Sequence, residues 1–191
     1  DNYKDAKATK IEIRLEPQGA DKQRLIFSGD GKEADAGEVL DIGESTKRLG
    51  DPLRDETQIG GYGMGMKNAL MHLAADALII CRKQRDSGPI WSVAMLSSTM
   101  HIREGLDRMC TPRMEISDDT ELPSSDAKWI LQYGPFSTAQ SLGCECKKLE
   151  KQGMRIILYN LHKEKRLRAI NGDILYDNQA SLKRSLHECY L

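Results

Sequence analysis

The sequence predicts an α+β two-layer sandwich, a mixed sheet with helices on one face. Three observations carry that expectation: period-two apolar runs, intervening runs with helix-start signals, and a glycine-rich junction that leads into one helix. The opening residues Asp1-Asn2-Tyr3-Lys4-Asp5-Ala6 are expected to be helical, with Asn2 and Asp5 three apart on one face. Ile11-Glu12-Ile13-Arg14-Leu15 alternates apolar and polar side chains, as a strand with one buried face does. Leu25-Ile26-Phe27 is the next strand, and a helix is expected after Asp35. Residues 48–59 are polar and punctuated by Gly50 and Pro52, with little apolar surface to hold them on a core. A helix follows over residues 64–73, in which Met64, Met66 and Met71 are expected to fill irregular gaps in the core. Ala77-Leu78-Ile79-Ile80-Cys81 and Trp91-Ser92-Val93-Ala94-Met95-Leu96 are strands, joined in a hairpin around Asp86-Ser87-Gly88-Pro89. Residues 126–133 are expected to be helical, Met154-Arg155-Ile156-Ile157-Leu158-Tyr159 a strand, and residues 180–189 a last helix.

With 191 residues, 39% of them apolar and 30% charged, the chain has the composition of one globular domain with a sizeable core. It contains no run approaching about 18 apolar residues and no secretory leader, so neither a membrane segment nor an export signal is expected. The sequence lacks an initiator Met, and its native N-terminus is expected upstream. Five cysteines, Cys81, Cys110, Cys144, Cys146 and Cys189, are an odd number without a CxxC pair, which points to reduced thiols rather than a disulfide framework. Cys144-Glu145-Cys146 with His162 falls short of the four spaced ligands of a structural zinc site. A net charge of −1 gives no global call for nucleic acid. Lys147, Lys148, Lys151, Arg155, His162, Lys163, Lys165, Arg166 and Arg168 nevertheless crowd the last third, either as a phosphate-contacting surface or as a solvated face.

Ile59-Gly60-Gly61-Tyr62-Gly63-Met64-Gly65-Met66-Lys67-Asn68-Ala69-Leu70 joins a glycine turn to a helix start. Glycine lets backbone N–H groups approach an anion, and the first helical turn adds unpaired N–H donors and a favourable dipole. Lys67 stands where a cation would join them. The spacing is neither that of a P-loop nor GxGxxG, and a tight turn is the alternative. Asn2 and Asp5 offer oxygen ligands for a hydrated divalent cation, or else decorate a solvated helix end.

In this order the motifs resemble those of the GHKL ATPases, whose nucleotide pocket is the Bergerat fold, and within them the microrchidia (MORC) branch. Asp-Asn-x-x-Asp-Ala at the start resembles the N-box. Ile42-Gly43-Glu44-Ser45-Thr46-Lys47 resembles the Leu/Phe-Gly-x-Ser-x-Lys segment, and residues 58–67 resemble Gln-Ile-Gly-x-Tyr-Gly-x-Gly-x-Lys. Met95-Leu96-Ser97-Ser98-Thr99, Glu104-Gly105-Leu106-Asp107, Tyr133-Gly134-Pro135-Phe136 and Ile156-Ile157-Leu158-Tyr159-Asn160-Leu161 recur in the MORC order, which gyrase, MutL, the heat-shock chaperones and histidine kinases do not share.

The resemblance implies one ATPase domain over residues 1–191, followed by a transducer domain. It implies ATP and Mg²⁺ as cofactors, with the metal on Asn2, and a nucleotide site of Asn2, Asp5, Asp30, Gly31, Ser45, Thr46, Lys47, Gly60, Gly61, Tyr62, Gly63, Met64, Gly65, Met66 and Lys67. Residues 48–59 correspond to the ATP lid. The general base of the family is a Glu four residues before Asn2, upstream of residue 1, so the catalytic residue is not assigned. The Asp-x-Gly-x-Gly motif reads Ser28-Gly29-Asp30-Gly31-Lys32-Glu33, so either Asp30 or a group at the Gly29 position receives the adenine amine. Asp30 to Gly43 is also shorter than in the family, and the usual Gly-Thr of the last pocket strand is Gly153-Met154. Gly65→Val is expected to abolish nucleotide binding by filling phosphate space and resisting a positive φ.

Such heads dimerise when ATP-bound and act with silencing proteins on nuclear DNA and chromatin. The alternatives are a nucleotide-binding interaction module without hydrolysis, or another GHKL ATPase of mismatch-repair or topoisomerase type.

Overall fold

Alternation along the strands builds the central sheet of the computed structural model, which describes residues 6–18, 22–32, 34–41, 65–117, 125–162, 168–170, 173–176 and 180–181. In chain order the elements are β1 (Ile11–Pro17), β2 (Gln23–Gly29), α1 (Ala36–Leu40), α2 (Gly65–Leu73), β3 (Ala74–Arg85), β4 (Gly88–Ser97) and α3 (Ser98–Glu104). They continue as β5 (Arg113–Ile116), α4 (Ser125–Tyr133), α5 (Ala139–Lys147), β6 (Gly153–Leu161), β7 (Arg168–Ile170), β8 (Asp173–Tyr176) and β9 (Ala180–Ser181). Six strands form one sheet in the order β1-β2-β6-β3-β4-β5. The five expected strands and the hairpin are all present, the latter turning at Asp86-Ser87 with Arg85 opposite Gly88.

The register divides the core in two. Ile26, Ile157, Leu78 and Met95 stand opposite one another across four strands, and Leu25, Leu158, Ala77 and Leu96 form the adjoining row. Because the side-chain period is two, the rows face opposite ways. The Leu25 row is covered by Ala36 and Leu40 of α1 and Leu70 of α2. The Ile26 row is covered by Met100 of α3, Ala127 and Ile130 of α4, and Leu142 and Cys146 of α5.

The domain is therefore an α+β sandwich of sheet and helices, with two differences in detail from expectation. Every pairing among the described strands is antiparallel, so the sheet is not mixed. Helices also lie on both faces. The reason is physical: the unbroken apolar runs of β3, β4 and β6 present buried side chains to both sides, and each side needs a cover.

Local signals set the helix ends. Asp35 caps α1 by accepting from the Gly37 and Glu38 N–H groups at 2.8 and 3.4 Å. Ser97 caps α3, which ends at Gly105 in the left-handed region, φ 61°. Thr138 and Ser141 cap α5 reciprocally. Ala180-Ser181 is not helical: it pairs with Leu175 and Tyr176 of β8 in a separate three-stranded sheet, and residues 182–189 lie outside the described residues.

Two polar networks are enclosed on the face covered by α3, α4 and α5. The Asp76 carboxylate, fully buried, accepts from Ser97 Oγ (2.6 Å), Thr99 N (3.1 Å), Thr99 Oγ1 (2.6 Å) and Asn160 Nδ2 (2.5 Å). Glu145 of α5 accepts from Arg155 Nε and Lys148 Nζ, each at 2.7 Å, while Arg155 Nη1 donates to Ser28 Oγ at 2.7 Å.

Candidate functional site

The face carrying α1 and α2 holds the described residues that the motifs single out. Gly65 opens α2, and a Cβ built on it meets no described atom within 4 Å. The first N–H groups of a helix have no intrahelical partner, so the start of α2 carries donors. Gly65 is not among the residues with positive φ, so the strain expected of Gly65→Val does not arise from the backbone; steric occupation of the space remains.

Two residues on, Lys67 is 5% exposed, and its Nζ donates to the backbone carbonyl of Asp41 at 2.6 Å. Burial lowers its pKa from the ordinary lysine value, and the nearby Asp41 charge only partly offsets this. Met66 and Met71 pack against the Leu25-side core, as expected of gap-filling methionines.

Asp41 is the C-cap of α1, its N–H donating to the Glu38 carbonyl at 3.2 Å. Its carboxylate meets the Arg113 guanidinium at both oxygens, Nη1 to Oδ2 at 3.2 Å and Nη2 to Oδ1. The sequence analysis assigned neither residue. Arg113 stands opposite Ala94 and therefore faces α1, but that register becomes visible only once β5 is paired.

Asp30 and Gly31 directly follow β2. The Asp30 carboxylate accepts from Thr9 N (2.8 Å), Thr9 Oγ1 (2.5 Å) and Lys10 N (2.8 Å), fastening the turn that leads into β1. The Thr9 hydroxyl, with the Lys10 N–H next, holds its pKa at about 2. Gly31 serves a close approach: a Cβ there falls 2.6 Å from Ala6 Cβ, and Lys32 N donates to Ala6 O at 2.8 Å. Ala6 is thereby seated on the residues after β2. Gly153, at φ +150°, abuts Gly29, where a Cβ would fall 2.2 Å from the Gly29 carbonyl oxygen. Of the remaining candidates, Asn2, Asp5, Ser45, Thr46, Lys47, Gly60, Gly61, Tyr62, Gly63 and Met64 lie outside the described residues, as do residues 48–59.

Arg155 does not contribute to a basic surface. Arg155 is 2% exposed and bound to Glu145, which also takes Lys148, and the His162 ring contacts the Met71 carbonyl at 3.0 Å. Residues 163–167 lie outside the described residues. The four described cysteines are free, and burial pushes the Cys81 and Cys146 thiols up to about 12. Among the described residues no His, Cys, Asp and Glu group is placed to hold a metal, and no helix is long and apolar enough to cross a membrane.

Comparison with known proteins agrees with this geometry. Residues 1–118 match the family described as histidine kinase-, DNA gyrase B- and HSP90-like ATPase. Human ATPase MORC2 is 29% identical over 175 residues, covering 84% of this chain and 16% of its own length. Mouse ATPase MORC2B is 30% identical over 176 residues with the same coverage. Protein MICRORCHIDIA 2 of Arabidopsis thaliana is 32% identical over 151 residues, 72% of this chain and 23% of its own length. The chain thus spans less than a quarter of these relatives. The glycine junction at α2, its buried lysine and the matched sequence together make this chain a member of the GHKL ATPase family, in its MORC branch.

Proposed function

We propose that this chain is the Mg-ATP-binding head of a MORC-like ATPase that closes a lid over the nucleotide, dimerises when ATP-bound and acts on chromatin in the nucleus, with DNA compaction and gene silencing as output. Lys67 carries the reading. It is a buried cation in the first turn of a helix that opens on Gly65, its ammonium donating to the Asp41 carbonyl. That donor set suits phosphate, because N–H groups at a helix start and an ammonium each favour an anion. Ser45, Thr46, Lys47 and residues 60–64 are proposed to complete the phosphate side, with Asn2 and Asp5 opposite. Mg²⁺, when bound, would offset phosphate charge, and Asn2 would ligate it.

On the adenine side two assignments compete. Asp30 accepts the exocyclic amine, or a backbone group or water at the Gly29 position does so. The three donors already on the Asp30 carboxylate favour the second. Calorimetric titration of Mg-ATP tests the site: the parent should bind and Gly65→Val should not. Equal affinity in the two proteins would remove the α2 junction from the pocket.

A further inference from the structure

Lys67 does not choose its own position. Its ammonium is fixed by the Asp41 carbonyl, and Asp41 is in turn gripped through both carboxylate oxygens by Arg113. Arg113 is itself anchored three ways. Its backbone pairs opposite Ala94 in the sheet, its N–H donates to Asp126 Oδ2 at 2.9 Å, and its Nη2 lies 3.3 Å from Thr111 Oγ1. The path of its side chain is cleared by Gly37, where a Cβ would fall 2.7 Å from Arg113 Cδ. One guanidinium therefore ties β5, on one edge of the sheet, to the end of α1, and the end of α1 to the lysine at the start of α2.

We propose that Arg113 and Asp41 are positioning residues for phosphate binding, acting through the Asp41 carbonyl on the Lys67 ammonium. This rests on the proposal that ATP binds at the α2 junction. A two-point guanidinium–carboxylate contact fixes orientation as well as distance, which a single ammonium cannot do. The carboxylate touches no part of Lys67 by hydrogen bond among the contacts described; its effect is to hold the peptide unit whose oxygen does. Loss of the pair leaves that carbonyl in place chemically but free to shift, and the ammonium shifts with it.

The predicted signature is selective for phosphate. In Arg113→Ala and in Asp41→Ala, ATP affinity measured by calorimetry should fall about threefold to fivefold, the range expected of a partly exposed ion pair. Adenosine affinity, measured by ligand-detected NMR, should stay at the parent value. The double variant should be no weaker than either single one, since both remove the same contact. Arg113→Lys should lie between Ala and parent. Thermal melting of each variant reports any general loss of structure, which would weaken ATP and adenosine alike. Unchanged ATP affinity in Arg113→Ala, parallel loss of both ligands, or additive losses in the double variant would each overturn the proposal. A folded parent that binds no ATP would instead overturn the underlying assignment of the site, and the positioning role with it.

Discussion

The two faces of the sheet each bury a cation, and the two cations are held differently. Arg155, on the face covered by α3, α4 and α5, is 2% exposed and bound by the Glu145 carboxylate and the Ser28 hydroxyl. Lys67, on the α1 and α2 face, is 5% exposed and bound by a neutral carbonyl. Coulombic demand in a low-dielectric interior is met inside the fold in the first case, where the pair acts as a brace between α5, β6 and β2. Around Lys67 burial depresses the lysine pKa, with the Asp41 charge opposing it. The same contrast extends to the carboxylates, since Asp76 is closed off by Ser97, Thr99 and Asn160, whereas Asp30 and Asp41 are only half-buried. The first face encloses its buried charges in hydrogen-bonded networks, and the second carries the proposed nucleotide site.

Breaking the brace should give the largest stability loss. Glu145→Ala leaves Arg155 charged and without its carboxylate, and should cost about 3–5 kcal/mol by denaturant titration; a loss below about 1 kcal/mol would mean the pair contributes little. Asp76→Ala should come next, at about 1–3 kcal/mol, because Ser97, Thr99 and Asn160 lose their acceptor in a buried site. Neither change should alter ATP affinity.

Asp30 should give the smallest effect, and a pH-dependent one. Its folded pKa of about 2 lies below the ordinary 3.8, so its contribution is present above the ordinary value and fades as pH falls toward about 2. Asp30→Asn should flatten that part of the acid stability curve while leaving the ATP to GTP affinity ratio unchanged. A fall in the ratio would return the adenine-accepting role to Asp30.

Much of this division was legible in the sequence. The alternation in β1 and the long apolar runs of β3, β4 and β6 gave the strands, and the glycine junction pointed to the start of α2 as the proposed site. The expectation of helices on one face overlooked that an unbroken Ala77-Leu78-Ile79-Ile80-Cys81 needs cover on both sides. Two helices were missed for identifiable reasons. In α3 the cap Ser97 and the stop Gly105 bracket only seven residues, too few for a periodic signal. In α5 the capping box pairs Thr138 with Ser141 rather than with Glu or Gln. The link from Arg113 through Asp41 to Lys67 joins residues 72 and 26 positions apart, and only the register of β5 and the packing of α1 bring them together.

The most direct measurement is thermal melting with and without Mg-ATP in the parent, Lys67→Met and Glu145→Ala. A ligand at 100 times its Kd adds about 2.7 kcal/mol to a fold that binds it, which for a domain of this size raises Tm by about 5 °C or more. The parent should show that rise. Lys67→Met should melt near the parent temperature without nucleotide, since an apolar side chain of similar volume replaces a buried cation, and should gain little from ATP. Glu145→Ala should melt lower and keep the full ATP increment. A full increment in Lys67→Met, or its loss in Glu145→Ala, would contradict the assignment of one face to the nucleotide and the other to the fold.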